Sequence, residues 1–151
     1  MILFVTLCIT LVWYHFGTLD NPRLETLGEG TFFIHSRELV HSPLITSTIP
    51  AGIGFIYQMP SKHVNTVRSL FNNIDGESIT LDTPKSSDQI LRMLGYTMVQ
   101  AQGTYETIRV VYAYSSRGRN FLTIDGTRIN LQIATRGDRV TIGWPVILGS
   151  F

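Results

Sequence analysis

Three side chains early in the chain, His35, Glu38 and His41, recur every three residues and are of the types that hold a divalent metal. Imidazole nitrogens and carboxylate oxygens make such a site only when the backbone brings them to one point. Ser42-Pro43 follows at once, and a proline pushes the preceding residue out of helical geometry, so no helix gathers the three. We therefore expect no metal and no other cofactor. The remaining acids are scattered, and Lys85-Ser86-Ser87-Asp88 lacks the glycines of a phosphate-binding loop. Nucleophile elbow, zincin helix and dinucleotide turn are absent as well, so the expectation is a protein that is not an enzyme. Arg136-Gly137-Asp138 spells an adhesion tripeptide but has the chemistry of a hairpin turn. The single cysteine, Cys8, excludes an internal disulfide and a cysteine-based zinc site.

One constellation remains: Arg109, Arg128, Asn130, Gln132 and Thr141, long or polar side chains expected on the outer face of a sheet, where they would present donors to a protein partner or an anion. The strands that position them are read from alternation. Over residues 127–134, Ile129, Leu131 and Ile133 face one way and Arg128, Asn130 and Gln132 the other. A four-residue turn at 135–138 leads to a second alternating run with Val140, Ile142, Trp144 and Val146. Pairing Ala134 with Arg139 sets Ile133 opposite Val140, Leu131 opposite Ile142 and Ile129 opposite Trp144. Asp125-Gly126 predicts a tight hairpin pairing Leu122 with Ile129. The loop at 115–120 leaves the phase of the strand before it open. We take Ile108, Val110, Tyr112 and Tyr114 as inward, with Arg109, Val111 and Ala113 outward.

Upstream, residues 31–35 and 52–59 read as strands, the second stopped by Pro60. Ser61 is expected to cap a helix carrying Val64, Val67, Leu70, Phe71 and Ile74, ended by Gly76. A strand at 77–82 follows, and Ser86 with Gln89 forms a capping box for a shorter helix that stops at Gly95. From Tyr96 onward every segment reads as strand. The fold class expected is α+β: an antiparallel β-sheet with two α-helices packed on one face.

Residues 1–16 are almost wholly apolar and suggest a signal anchor or signal peptide. As a helix they would reach about 24 Å, short of a hydrocarbon core of roughly 30 Å. Residues 17–30 read as a linker and 31–151 as one domain, outside the cytoplasm and tied to the cell membrane by the leader. Net charge is +1, with a local excess of three positive charges from Thr104 onward. That balance and the expected lack of stacking aromatics on the outer face argue against nucleic acid.

The last third resembles the YwmB-like family of spore-forming Gram-positive bacteria. The resemblance lies in Val111-Tyr112-Ala113-Tyr114, in residues 129–136 (Ile-Asn-Leu-Gln-Ile-Ala-Thr-Arg) and in residues 140–147 (Val-Thr-Ile-Gly-Trp-Pro-Val-Ile). It implies a TATA-binding-protein-like fold, an extracytoplasmic place and an association with sporulation, and it supplies no activity. A nucleic-acid-binding sheet is the alternative function suggested by that fold.

The alternation itself is testable. Leu131→Asp would bury an unpaired carboxylate and cost several kcal/mol, comparable to total stability. Urea denaturation that finds the variant near wild type refutes the inward assignment of Leu131.

Overall fold

The computed structural model describes residues 21–118 and 120–148. The apolar run at 1–16 and Cys8 lie outside them. Among the described residues ten strands occur: β1 Thr31–Ser36, β2 Ser47–Ala51, β3 Gly54–Pro60, β4 Gly76–Asp82, β5 Met98–Tyr105, β6 Ile108–Tyr114, β7 Leu122–Ile124, β8 Thr127–Ile129, β9 Leu131–Arg136 and β10 Arg139–Trp144. The α-helices of these residues are α1, Val64–Arg68, and α2, Ser87–Leu94. Eight strands form one antiparallel sheet in the order β2-β3-β1-β4-β10-β9-β6-β5, and β7-β8 is a separate hairpin. The class is thus α+β, with a large antiparallel sheet. Its halves meet at β4–β10, and each half carries a hairpin of consecutive strands outermost, β2–β3 or β5–β6.

One hydrophobic core lies on one face of this sheet. Phe32 and Ile34, Tyr57 and Met59, Ile79 and Leu81, Val140 and Ile142, Leu131 and Ile133, and Val111 and Ala113 project into it. Val64 and Val67 of α1 and Ile90 and Leu91 of α2 cover them, so both helices share that face. Leu24 and Leu27, on a 3-10 turn at Leu24–Leu27, are fully buried in the same core. The expected linker therefore ends earlier: these two leucines make residues 24–27 part of the domain.

Local signals behave as their chemistry requires. The Ser86–Gln89 box closes in both directions, and Gly95 ends α2 in the left-handed region at φ 74°. Asp125 and Gly126 take positive φ and pair Leu122 with Ile129. The helix after Ser61 differs from expectation. The Ser61 hydroxyl accepts from the Gly30 N–H at 3.0 Å instead of capping, and α1 spans only five residues after a 3-10 turn. Leu70 is left exposed, and Gly76 begins β4 rather than ending a helix.

Two registers also differ. The turn between β9 and β10 has two residues, Gly137-Asp138, so Arg136 pairs with Arg139 and Ile133 with Ile142. Every side chain keeps its expected face because the shift is even. In β6 the phase is inverted: Val111 pairs with Ile133 and Ala113 with Leu131 on the core face, while Val110 and Tyr112 stand on the other. The phase is set by Asn130, whose N–H donates to the Ala113 carbonyl at 3.0 Å where the chain passes from β8 to β9.

After Trp144 the chain folds back over the non-core face. The Ile147 N–H donates to Gln132 Oε1 at 3.0 Å and the Leu148 N–H to Ser78 Oγ at 3.3 Å. This strap crosses β10 at Gly143, where an added Cβ would stand 2.2 Å from the Ile147 nitrogen. Gly143→Ala is expected to lift the strap and leave the buried Gln132 amide unpaired, a loss of about 2–4 kcal/mol in urea denaturation. An alanine variant as stable as wild type would show that the strap is not held there.

Candidate functional site

The most charged cluster among the described residues is built around Arg68, the last residue of α1. Its Nε and Nη2 donate to both oxygens of Glu77, at 2.8 and 3.1 Å. Nη1 and Nη2 donate to the two oxygens of Glu25, at 2.9 and 3.0 Å, and Nη1 also reaches Asn65 Oδ1 at 2.9 Å. Arg23 adds a second cation on Glu25 at 2.6 Å. Alternation along β4 sends Glu77 to the core side with Ile79 and Leu81, level with Ile34 and Trp144. An acid on an apolar stripe is a sequence signal for a buried partner, and the partner is Arg68.

The two carboxylates respond differently to their surroundings. Burial pushes Glu77 above its ordinary value, since its side chain is only 4% exposed and it shares one guanidinium with a second acid. Burial acts on Glu25 in the same sense, but hydrogen bonds from Arg68 and Arg23 outweigh it and hold the group at about 2. The adjoining cleft, about 270 Å³, is lined by Asn21, Pro22, Arg23, Arg68, Ile74 and Glu77. Its charged groups bond to one another, joining the 3-10 turn, α1 and β4. This is the geometry of a clamp.

The metal-type triad does not assemble. His35 Nδ1 stands 3.7 Å from Asp75 Oδ2. Glu38 accepts from the Asn72 and Asn73 N–H groups at 3.1 and 2.7 Å, which lower its pKa, and His41 is exposed. Among the described residues no group of three metal-type side chains converges.

Nor do the five residues of the expected platform form one surface. Asn130 is fully buried: its Nδ2 donates to the Ser115 carbonyl at 2.7 Å and its Oδ1 accepts from the Ser115 N–H at 2.9 Å. Gln132 is buried beneath the strap, and Thr141, also buried, lies 3.2 Å from the Thr80 hydroxyl. Arg109 is exposed on the opposite phase of the sheet, bonded to Gln102 and lining a shallow cleft with Lys85, Thr135 and Asp138. Arg128 is exposed on the β7–β8 hairpin, 4.8 Å from the Phe121 ring centre. Polar type and alternation predicted a wet face; the strap makes its centre dry.

Beyond the strap, the non-core face carries the residues expected inside. Ile108, Val110, Tyr112 and Tyr114 lie there half-buried, and Phe121 meets Tyr114 edge-on at 6.4 Å. Met98 and Tyr105 of β5 pair with Tyr114 and Ile108 and extend this surface. No protein-family model matches the chain, and no curated protein or solved structure is significantly similar to it.

The clamp predicts a pH dependence with a definite sign. Arg68→Met leaves Glu77 buried without its cation, so about 3–5 kcal/mol should be lost at pH 7. Arg68 holds the Glu77 pKa down against burial, so without it the folded-state pKa rises further; lowering the pH then protonates Glu77 preferentially in the folded variant, and the loss should be smaller at pH 5. Glu25 acts oppositely: its stabilisation is present above its ordinary value and lost as pH falls from 4.5 toward 2. Denaturation of wild type, Arg68→Met and Arg68→Met/Glu77→Gln at both pH values tests this. An Arg68→Met deficit that does not change with pH would remove Glu77 from the account.

Proposed function

We propose that this chain is a non-enzymatic protein-interaction module of the cell envelope, held at the extracytoplasmic side of the membrane by residues 1–16. The carrying observation is the surface formed by Val110, Tyr112, Tyr114 and Phe121, apolar and aromatic side chains left half-buried or exposed on the sheet face away from the helices. Rigid aromatics with little rotamer entropy to lose are what protein interfaces favour. The cleft beside Arg68 supports the same reading, since Arg68 and Glu77 are engaged with each other. No helix of the described residues is long and apolar enough to cross a membrane, so anchoring rests on the leader. The resemblance to YwmB-like proteins supports the extracytoplasmic place and the link to sporulation.

A nucleic-acid-binding sheet is the second reading, and a specific observation favours it. Tyr112, Tyr114 and Phe121 lie on an open face with Arg128 stacked on Phe121 and Arg117 exposed nearby in sequence. Stacking aromatics, expected to be lacking on this face, are present there. Aromatic platforms with flanking cations bind single strands.

The test is the variant Tyr112→Ser/Tyr114→Ser/Phe121→Ser in the full chain. Stability should change little compared with Leu131→Asp, while capture of envelope proteins from membrane extracts should fall at least tenfold. Capture unchanged by the triple substitution would remove the face as the binding surface. Titration with a fluorescent single-stranded oligonucleotide separates the readings: binding that weakens steeply with salt favours nucleic acid. Carbonate extraction and protease accessibility test the location, and release of the full chain with soluble proteins would refute anchoring.

A further inference from the structure

The two edges of the large sheet are unlike. The β2 edge is five residues long and carries Pro50, which has no N–H to offer another strand. The β5 edge is eight residues, Met-Val-Gln-Ala-Gln-Gly-Thr-Tyr, with no charge and no proline. Among the described residues nothing pairs with its outer side. An edge this long and neutral is a template for another strand.

Gly103, in the middle of β5, sharpens the point. Glycine weakens a strand, and among the described residues nothing requires it: an added Cβ would meet none of their atoms within 4 Å, and its φ is not positive. Its missing side chain leaves open space on the non-core face, into which a side chain of an incoming strand can fold. The five residues after the bulge at Val99/Ala101 read Ala-Gln-Gly-Thr-Tyr, with small residues and a tyrosine placed about Gly103. We infer that the partner is a second copy of this chain, its β5 antiparallel to the first and centred on Gly103.

In that register Gln102 stands opposite the other copy's Thr104, and Ala101 opposite its Tyr105. The two-residue turn at 106–107 makes Tyr105 and Ile108 a hydrogen-bonded pair, so the N–H and C=O groups of Gln102 and Thr104 point outward. Each therefore exchanges both backbone bonds with its counterpart. Gly103 meets Gly103 in the close, non-bonded spacing, about 4.5 Å between Cα atoms. Tyr105, 73% exposed in the single chain, lies over Ala101 and the cleared space at Gly103. Two tyrosines burying up to roughly 150–250 Å² each, with the paired backbones, supply much of the roughly 1,000 Å² of a specific interface. The aromatic faces of the two copies become continuous. The pairing uses the edge rather than the face, so it goes beyond the proposed function and stands whether or not that face binds a partner.

The experiment is disulfide trapping of the full chain in mild detergent, in a Cys8→Ser background. Gly103→Cys should cross-link to itself in most molecules under a mild oxidant, because the Cα spacing at the dyad lies within disulfide range. Ile49→Cys, on the other edge and 47% exposed, should not. Adding Gln102→Lys and Thr104→Lys sets like charges opposite each other and should cut the Gly103→Cys yield about tenfold, whereas Gln102→Lys with Thr104→Glu should restore it. Failure of Gly103→Cys to cross-link, equal cross-linking at Ile49→Cys, or indifference to the charge pattern would each overturn the proposal. The aromatic-face variant, which spares β5, should still cross-link, so loss of partner capture and loss of pairing are read separately.

Discussion

The seam between β4 and β10 joins the two halves of the chain, and both faces of the sheet are organised by it. On the core side Ile79 lies beside Ile142 and Leu81 beside Val140, so one stripe of branched side chains spans the join. On the other side the neighbours are Ser78 with Gly143 and Thr80 with Thr141. Small residues there let residues 145–148 cross close to the backbone, held by Gln132 on one flank and Ser78 on the other. The strap thus stitches β9 to β4 over β10. Any Cβ at position 143 would separate these layers, and so a single close approach constrains three strands.

Glu77 shows how the seam reaches the charged clamp. It is level with Trp144 across the seam and with Ile34 on the other flank, so its carboxylate starts from an apolar position. A carboxylate there is tolerable only with a cation that itself needs neutralising, and Arg68 finds that second charge in Glu25. The 3-10 turn carrying Glu25 also buries Leu24 and Leu27. Ionic and apolar contacts therefore fix the same segment, and the first turn of the domain is drawn against α1 and β4 by two kinds of force.

Legibility in the sequence followed the range of the interaction. Ser86 with Gln89 and Asp125 with Gly126 act over three residues or fewer, and each forms as its chemistry predicts. The inward faces of β9 and β10 were readable because their two side-chain sets differ sharply in polarity. β6 lacks that contrast: Val111 and Ala113 are as apolar as Val110 and Tyr112, and the choice is made by Asn130, fifteen residues beyond its partner Ser115. Asn130, Gln132 and Thr141 look like a solvent face until Ser115, the strap and the Thr80 hydroxyl respectively satisfy them. The platform failed for that reason, since alternation reports which side a residue faces but not what later covers that side.

The inversion of β6 has a consequence for binding. With Val111 and Ala113 inward, modest volumes suffice on the core face, and Tyr112 and Tyr114 stand half-buried on the other face, where they need no place in the core. The cost is an apolar, aromatic strip on the face that the helices do not cover. The strap shields only the centre of that face, over Gly143 and Gln132, and leaves the β5–β6 end open. Tyr112 pairs with the strapped Gln132 on one side and with Ala101 of the open edge on the other, so it stands at the boundary between dry and wet. Half-buried aromatics at such a boundary are held rigid by the sheet below while part of each ring stays exposed, and the function proposed above rests on that β5–β6 end rather than on the polar side chains near the seam.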